Sequence, residues 1–259
     1  MIQAMAAGLL AIFIYMTVQW LVSLPLKNAS IVDIFWGPGF ALASWVYYFT
    51  SPDGYNPRKL LVVILVTIWG LRLGWHIARR NIGHGEDYRY AAWRKSYGAV
   101  WWWRSYLNVF VLQGVLMWII STPLMVAQYQ AEPAAFTLLD CLGIIIWLIG
   151  FVFEAGGDWQ LTRFKADPAN KGKVMRTGFW RYTRHPNYFG DALLWWGYFG
   201  IALAVPGGFL TVFAPALMTL MLMRVSGVAL LEKNLTKTKP EYADYIASTN
   251  AFFPGLPRK

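Results

Sequence analysis

The chain has 259 residues, 57% of them hydrophobic and 17% aromatic, with 15 Trp and only 14% charged, against about 25% charged in a soluble domain. Too few charges remain to coat a water-facing surface, which excludes an ordinary cytosolic enzyme, a disordered chain and a disulfide-rich scaffold. Cys141 is the single cysteine, so there is no intrachain disulfide. The formal charge of +10 would fit nucleic-acid binding only on a solvated basic face, and here the basic residues lie in loops between apolar runs. This composition predicts an all-α polytopic membrane protein, one integral membrane domain.

A spanning helix needs about 20 mostly apolar residues. In chain order the apolar runs cover residues 4–24, 31–49, 60–77, 107–127, 138–153, 188–203 and 209–231. The first lacks a charged leading region and is long enough to span, so it reads as a retained helix and not a removable leader. The last two meet at Ala204-Val205-Pro206-Gly207-Gly208, a helix-stopping cluster expected to form a tight turn. Of the 23 Lys and Arg, all but four follow odd-numbered runs; Arg58 and Lys59 fall on the opposite side, and Arg72 and Arg224 lie inside runs. The asymmetry predicts seven transmembrane helices, N-terminus outside and C-terminus cytoplasmic. Two connections, residues 79–106 and 163–187, exceed what spanning requires. Their Trp93, Trp101, Trp102, Trp103, Trp180 and Tyr182 fit an interfacial aromatic belt.

An ionisable side chain at bilayer depth costs about 2.5–3.5 kcal/mol and so points to function. The candidates are Asp33, Arg72, His76, Asp140, Glu154, Asp158, Asp191, Arg224 and Glu232. Asp140 lies near an outer end, where water reaches it. Arg72 and His76 share one face of the third helix, four residues apart. Asp33 either pairs with Arg72 to join two helices or faces a ligand cavity together with His76. Glu154 and Asp158 flank Ala155-Gly156-Gly157, where small residues admit a second helix or a flat ligand; the two carboxylates orient donors or neutralise the basic loop beyond them.

The densest polar stretch runs from Arg176 through Arg181, Arg184, His185 and Asn187 to Asp191. Pro186 suits the first turn of a helix, whose positive end would face the preceding loop. With Lys165, Lys171 and Lys173 upstream, these arginines make either a multiply charged anion site or an ordinary cytoplasmic basic loop touching anionic lipid. His76, His84 and His185 are scattered, and no metal set is expected. No Gly-x-Gly-x-x-Gly turn or serine-nucleophile signature is present.

Arg184-His185-Pro186-Asn187-Tyr188-Phe189-Gly190 with Asp191 directly after it, the late residues Glu232, Glu241, Tyr242 and Tyr245, Ser30-Ile31-Val32-Asp33, Trp69-Gly70-Leu71-Arg72 and the closing Asn250-Ala251-Phe252-Phe253-Pro254 together carry a family resemblance. The sequence resembles the bacterial membrane relatives of the steroid 5-alpha-reductases, in a wider set with sterol reductases and isoprenylcysteine carboxyl methyltransferases. The resemblance implies a seven-helix fold in a bacterial inner membrane. It implies NADPH held by residues 107–259 facing the cytoplasm, and a lipophilic enone entering from the bilayer among residues 1–106. Asp158 and Lys165 fall where the reductases place an acid and a base around the cofactor, and Asn187 and Asp191 match their Asn and Glu. Tyr182, Tyr188, Arg224, Glu232 and Tyr242 complete the implied cofactor set with Arg176, Arg181, Arg184 and His185. Asp33 falls near the reductases' substrate-side Gln-Glu pair and His76 near their catalytic Tyr. No Gln stands beside Asp33, and His replaces Tyr, so the resemblance leaves the substrate open between a 3-oxo-Δ4-steroid-like molecule and another lipid enone.

The implied reaction is NADPH-dependent reduction of a carbon–carbon double bond conjugated to a carbonyl. A hydrogen-bond donor aimed at the carbonyl oxygen lowers its barrier: His76, an Asp33 that keeps its proton, or Tyr88 or Tyr90 from the next loop. Two other readings stay open: an S-adenosylmethionine-dependent methyltransferase acting on a lipid acceptor, and a non-catalytic sterol- or lipid-binding membrane protein. The basic residues of 163–184 favour a phosphorylated cofactor over S-adenosylmethionine, which has no phosphate.

Overall fold

Helix dominates because the apolar runs leave their own backbone as the nearest partner for each N–H and C=O. The computed structural model describes residues 1–225 and 227–258, and no strand occurs among them. The chain divides into two compact units: Met1–Phe136 with Val205–Thr211, and Thr137–Ala204 with Val212–Lys259.

In the first unit, α1 (Ile2–Leu26), α2 (Ile31–Thr50) and α3 (Asn56–Asn81) pack consecutively. α2 and α3 touch backbone to backbone: a Cβ on Gly37 would stand 2.6 Å from the Gly70 carbonyl oxygen. The connection after α3 is mostly helical. α4 (Tyr88–Tyr97) starts where the Asp87 carboxylate accepts the Arg89 N–H at 3.0 Å, an N-cap. α5 (Trp101–Ser105) runs through a π-turn (Tyr106–Val111) into α6 (Leu112–Ile120), and then comes α7 (Thr122–Tyr129). The loop expected over residues 79–106 is therefore coil only at 82–87. Arg58 and Lys59 are both buried: Arg58 donates to the Pro133 and Ala135 carbonyls at 3.1 and 2.7 Å, and Lys59 to the Ser51 carbonyl at 2.6 Å. They tie two loops together.

The second unit is built on α8 (Leu138–Ala166) and α9 (Pro186–Ala202). Glycines spaced by seven line their contact: a Cβ on Gly150 would lie 2.7 Å from the Gly190 carbonyl oxygen, and one on Gly197 2.8 Å from that of Gly143. Between Glu154 and Asp158, Gly157 meets the start of α9 at Pro186 and Asn187, and Gly156 faces the Phe179 ring. α8 is 29 residues long, well beyond the apolar run 138–153. Asp140, expected to be wet, is buried and forms a capping box with Thr137. Pro186 occupies the first turn of α9, as expected.

The run 209–231 is not one helix. A 3-10 turn (Gly208–Val212), α10 (Phe213–Leu220) and a π-turn (Met221–Val225) come first. α11 (Val228–Thr238) begins anew after Gly227, and α12 (Tyr242–Ser248) comes last. A Cβ on Gly227 would sit 2.0 Å from the Leu222 carbonyl oxygen, so this corner requires glycine.

Among the described residues, five helical stretches are long and apolar enough to cross a membrane: Ile2–Leu26, Asn56–Asn81, Tyr88–Ile120, Leu138–Ala166 and Gly208–Val225. The other two expected spans fold as helices of 20 residues (α2) and 17 residues (α9).

Candidate functional site

Each unit carries polar groups that the sequence singled out. In the first, Asp33 lies in the opening turn of α2 and the loop 82–87 folds back onto the α1–α2 turn. Glu86 fixes that loop, accepting the Ala29 N–H at 2.7 Å and two bonds from Arg94 at 2.8 and 2.9 Å. The Asp87 N–H donates to Ser30 Oγ at 3.1 Å. The start of α4 is thereby delivered to Asp33, whose carboxylate accepts from Arg89 at 2.8 Å and from the Tyr90 hydroxyl at 2.7 Å. Gln113 donates to the same hydroxyl at 3.3 Å. Arg89 also bonds Asp87 at 2.9 Å and keeps 29% of its side chain exposed, so the ionic chain runs from water to a phenol that is 5% exposed.

Asp33 therefore takes its hydrogen bonds from Arg89 and Tyr90. Of the two tyrosines expected from this loop, Tyr90 reaches Asp33, whereas Tyr88 is 56% exposed, because two positions along a helix turn the side chain to another face. His76 and Arg72 are partly buried on α3. Sequence reasoning does not single out Arg89, Tyr90 and Gln113 as a set. The available signal is Asp87, a helix-capping residue, shortly before an Arg and a Tyr.

In the second unit, the loop 176–181 and α12 with the segment after it flank an open groove of about 390 Å³. Arg176, Thr177 and Arg181 line one side, and Tyr245, Ser248, Thr249 and Pro257 the other; none of the described lining residues is acidic. Arg176 is held over the Tyr245 ring, 5.6 Å from its centroid, and donates to the Glu241 carbonyl. Two guanidinium groups beside four hydroxyl side chains suit phosphate oxygens.

Next to the groove, Arg184 is buried and bidentate on Glu232, Nε at 2.8 Å and Nη2 at 3.0 Å. His185 Nε2 lies 3.1 Å from the same carboxylate and its ring stacks on Tyr188. Burial raises the Glu232 pKa, but hydrogen bonds from His185 and Arg184 outweigh it and bring the group down to about 2. Burial pushes the Tyr242 hydroxyl well above the ordinary phenol range. Asn187 donates to Asp158 at 2.9 Å, joining two expected cofactor residues across α8 and α9. Asp191 is nearly buried one turn further on, while Lys165 and Tyr182 are exposed. Arg224, expected inside a span, is exposed at the end of the π-turn.

The lowered Glu232 pKa has a pH consequence. Its contribution is complete above the ordinary carboxylate pKa of 4.5 and is lost as pH falls toward about 2. After screening at a side chain 20% exposed, the contribution is about 1–2 kcal/mol. The difference in thermal stability between wild type and Glu232→Gln should be constant from pH 7 to 5 and shrink below 4.5. A constant difference down to pH 2.5 would contradict the assignment.

Residues 19–249 match the family described as "Protein of unknown function (DUF1295)", and the chain belongs to that family. It is 27% identical to an uncharacterized protein of Schizosaccharomyces pombe, over 96% of this chain and 79% of that protein. It is 28% identical to the Delta(14)-sterol reductase of Ascobolus immersus, over 36% of this chain and 25% of the reductase. The Delta(14)-sterol reductase LBR of Gallus gallus is 33% identical over 29% of this chain and 12% of its own length. The chain thus matches a quarter or less of these sterol reductases. No solved structure matches.

Proposed function

We propose that this chain is a membrane reductase that uses NADPH to saturate a carbon–carbon double bond conjugated to a carbonyl in a lipophilic substrate. The observation that carries the reading is the groove: two arginines and four hydroxyl side chains without a described lining carboxylate, in a chain similar over about a third of its length to sterol reductases. A phosphorylated dinucleotide fits that chemistry, whereas S-adenosylmethionine offers it no phosphate. Arg176 and Arg181 would hold the phosphates, and Asn187 and Asp158 the polar groups nearer the reacting ring. NADPH, when bound, supplies the hydride for the β carbon.

The substrate-side chemistry is assigned to the first unit. With substrate bound, the Tyr90 O–H turns from Asp33 to the carbonyl oxygen, donates as charge develops there and gives its proton to the product. Asp33, steadied by Arg89, passes a proton from water back to the phenolate, so each turnover consumes one hydride and one proton. Gln113 fixes the phenol's orientation. Seven spans, an N-terminus outside and the groove facing the cytoplasm complete the reading, which the excess of Lys and Arg after odd-numbered runs supports. A bacterial inner membrane is its setting, and lipophilic substrate and membrane lipids are its partners.

Equilibrium binding to detergent-purified protein tests the cofactor assignment. NADPH should bind at micromolar concentration and NADH about tenfold or more weaker, since one phosphate–arginine contact is worth roughly 1.5–3 kcal/mol. Saturable S-adenosylmethionine binding without NADPH binding would replace the reductase reading with the methyltransferase one.

A further inference from the structure

The arginine that dominates the 184–190 motif does not face the groove with open donors. Nε and Nη2 of Arg184 bond Glu232, and Nη1 bonds the Ile246 carbonyl at 3.2 Å and that of Thr249. Four of its five N–H groups are thereby taken. Its backbone N–H goes to the Asn250 carbonyl at 2.9 Å. We infer that Glu232 is a positioning residue: with Arg184 and His185 it fastens the segment 228–258 and so builds the second wall of the groove. The phosphates of the ligand then meet Arg176 and Arg181, while Arg184 acts through the wall. The ligand's identity rests on the proposed function; the fastening does not.

Three features carry the inference. First, every residue of the second wall lies beyond Gly227, where the backbone turns a corner that only glycine fits. Side-chain and backbone ties to the segment ahead of α9 hold that wall in place. Second, those ties converge on residues 180–185. The Tyr245 hydroxyl donates to the Trp180 carbonyl, the Gly255 N–H to Tyr182 at 2.9 Å, and the Thr183 hydroxyl to Phe252 at 2.8 Å. Third, the Arg184 cation sits at the C-terminal end of α12, bonding the Ile246 and Thr249 carbonyls there, where a positive charge offsets the helix dipole. That leaves Arg184 with a carboxylate on one flank and a helix end on the other, an arrangement that immobilises it. The Glu232 carboxylate touches both Arg184 and His185, so its charge decides whether both stay in place.

Tryptic cleavage of the full chain in detergent at Lys233, Lys237 and Lys239, paired with NADPH titration, tests this. Glu232→Gln should be cleaved there about tenfold faster than wild type without ligand. It should also raise the KM for NADPH about tenfold, a loss of about 1.4 kcal/mol, with kcat within about twofold. Glu232→Asp should recover part of both. Arg181→Ala should raise KM with the cleavage rate unchanged, and Arg184→Ala should change both. Cleavage of Glu232→Gln at the wild-type rate would overturn the inference, as would Arg184→Ala weakening NADPH without faster cleavage. Faster cleavage of Glu232→Gln in a wild-type background that binds no NADPH would uphold the fastening and remove the cofactor reading instead.

Discussion

Tyr90→Phe is expected to lower turnover of a lipophilic enone about 100- to 10 000-fold, the usual range for removing a general acid, with NADPH affinity unchanged. The expectation comes from the place of the phenol in the proposed reaction. Its hydroxyl is buried, bonded at 2.7 Å to Asp33 and approached by Gln113, and loss of one oxygen removes the donor while keeping the ring. Asp33→Asn should reduce turnover comparably, because the amide neither relays a proton nor balances Arg89 at 2.8 Å. A double variant should be little worse than either single one, since residues acting as a unit are not additive. Tyr88→Phe serves as the comparison: that side chain is 56% exposed, and loss of turnover there equal to that of Tyr90→Phe would move the acid to Tyr88. Turnover assays with equal amounts of folded protein decide among these outcomes.

The second large effect concerns the groove. Replacing Arg176 and Arg181 together by Ala should weaken NADPH about 100-fold or more, as two charge-assisted contacts of roughly 1.5 kcal/mol or above are lost. NADH should be weakened less, and the loss should be smaller at high salt, where surface charges are already screened. Arg176 is the better placed of the two because the Tyr245 ring and the Glu241 carbonyl hold it, so less ordering entropy is lost on binding. Equal loss for NADPH and NADH would leave these arginines on the shared pyrophosphate and locate the 2′-phosphate contact elsewhere.

Some of this is legible in the sequence. A carboxylate in an apolar run marks itself, and Asp33 does sit at the centre of the first cluster. Its partners do not, because Arg89 and Tyr90 lie 56 and 57 residues later and meet it only through a loop pinned by Glu86. The basic stretch 176–184 is legible as charge but not as division of labour. Arg184 looks like its neighbours until the bidentate contact with Glu232, 48 residues away, is seen. The continuous helix expected over 209–231 fails because hydropathy is blind to the corner at Gly227. Conversely, Asp140 reads as wet from its position near a helix end, whereas a capping box with Thr137 allows it to be buried.

The central claim is hydride transfer to a conjugated double bond. NADPH deuterated at C4 of the nicotinamide, incubated with the purified protein and a lipophilic enone, measures it directly by mass spectrometry and NMR of the product. One deuterium is expected on the carbon β to the carbonyl and one solvent-derived hydrogen on the α carbon. Substrate recovered unreduced, together with methyl transfer from S-adenosylmethionine to a lipid acceptor under the same conditions, would contradict it.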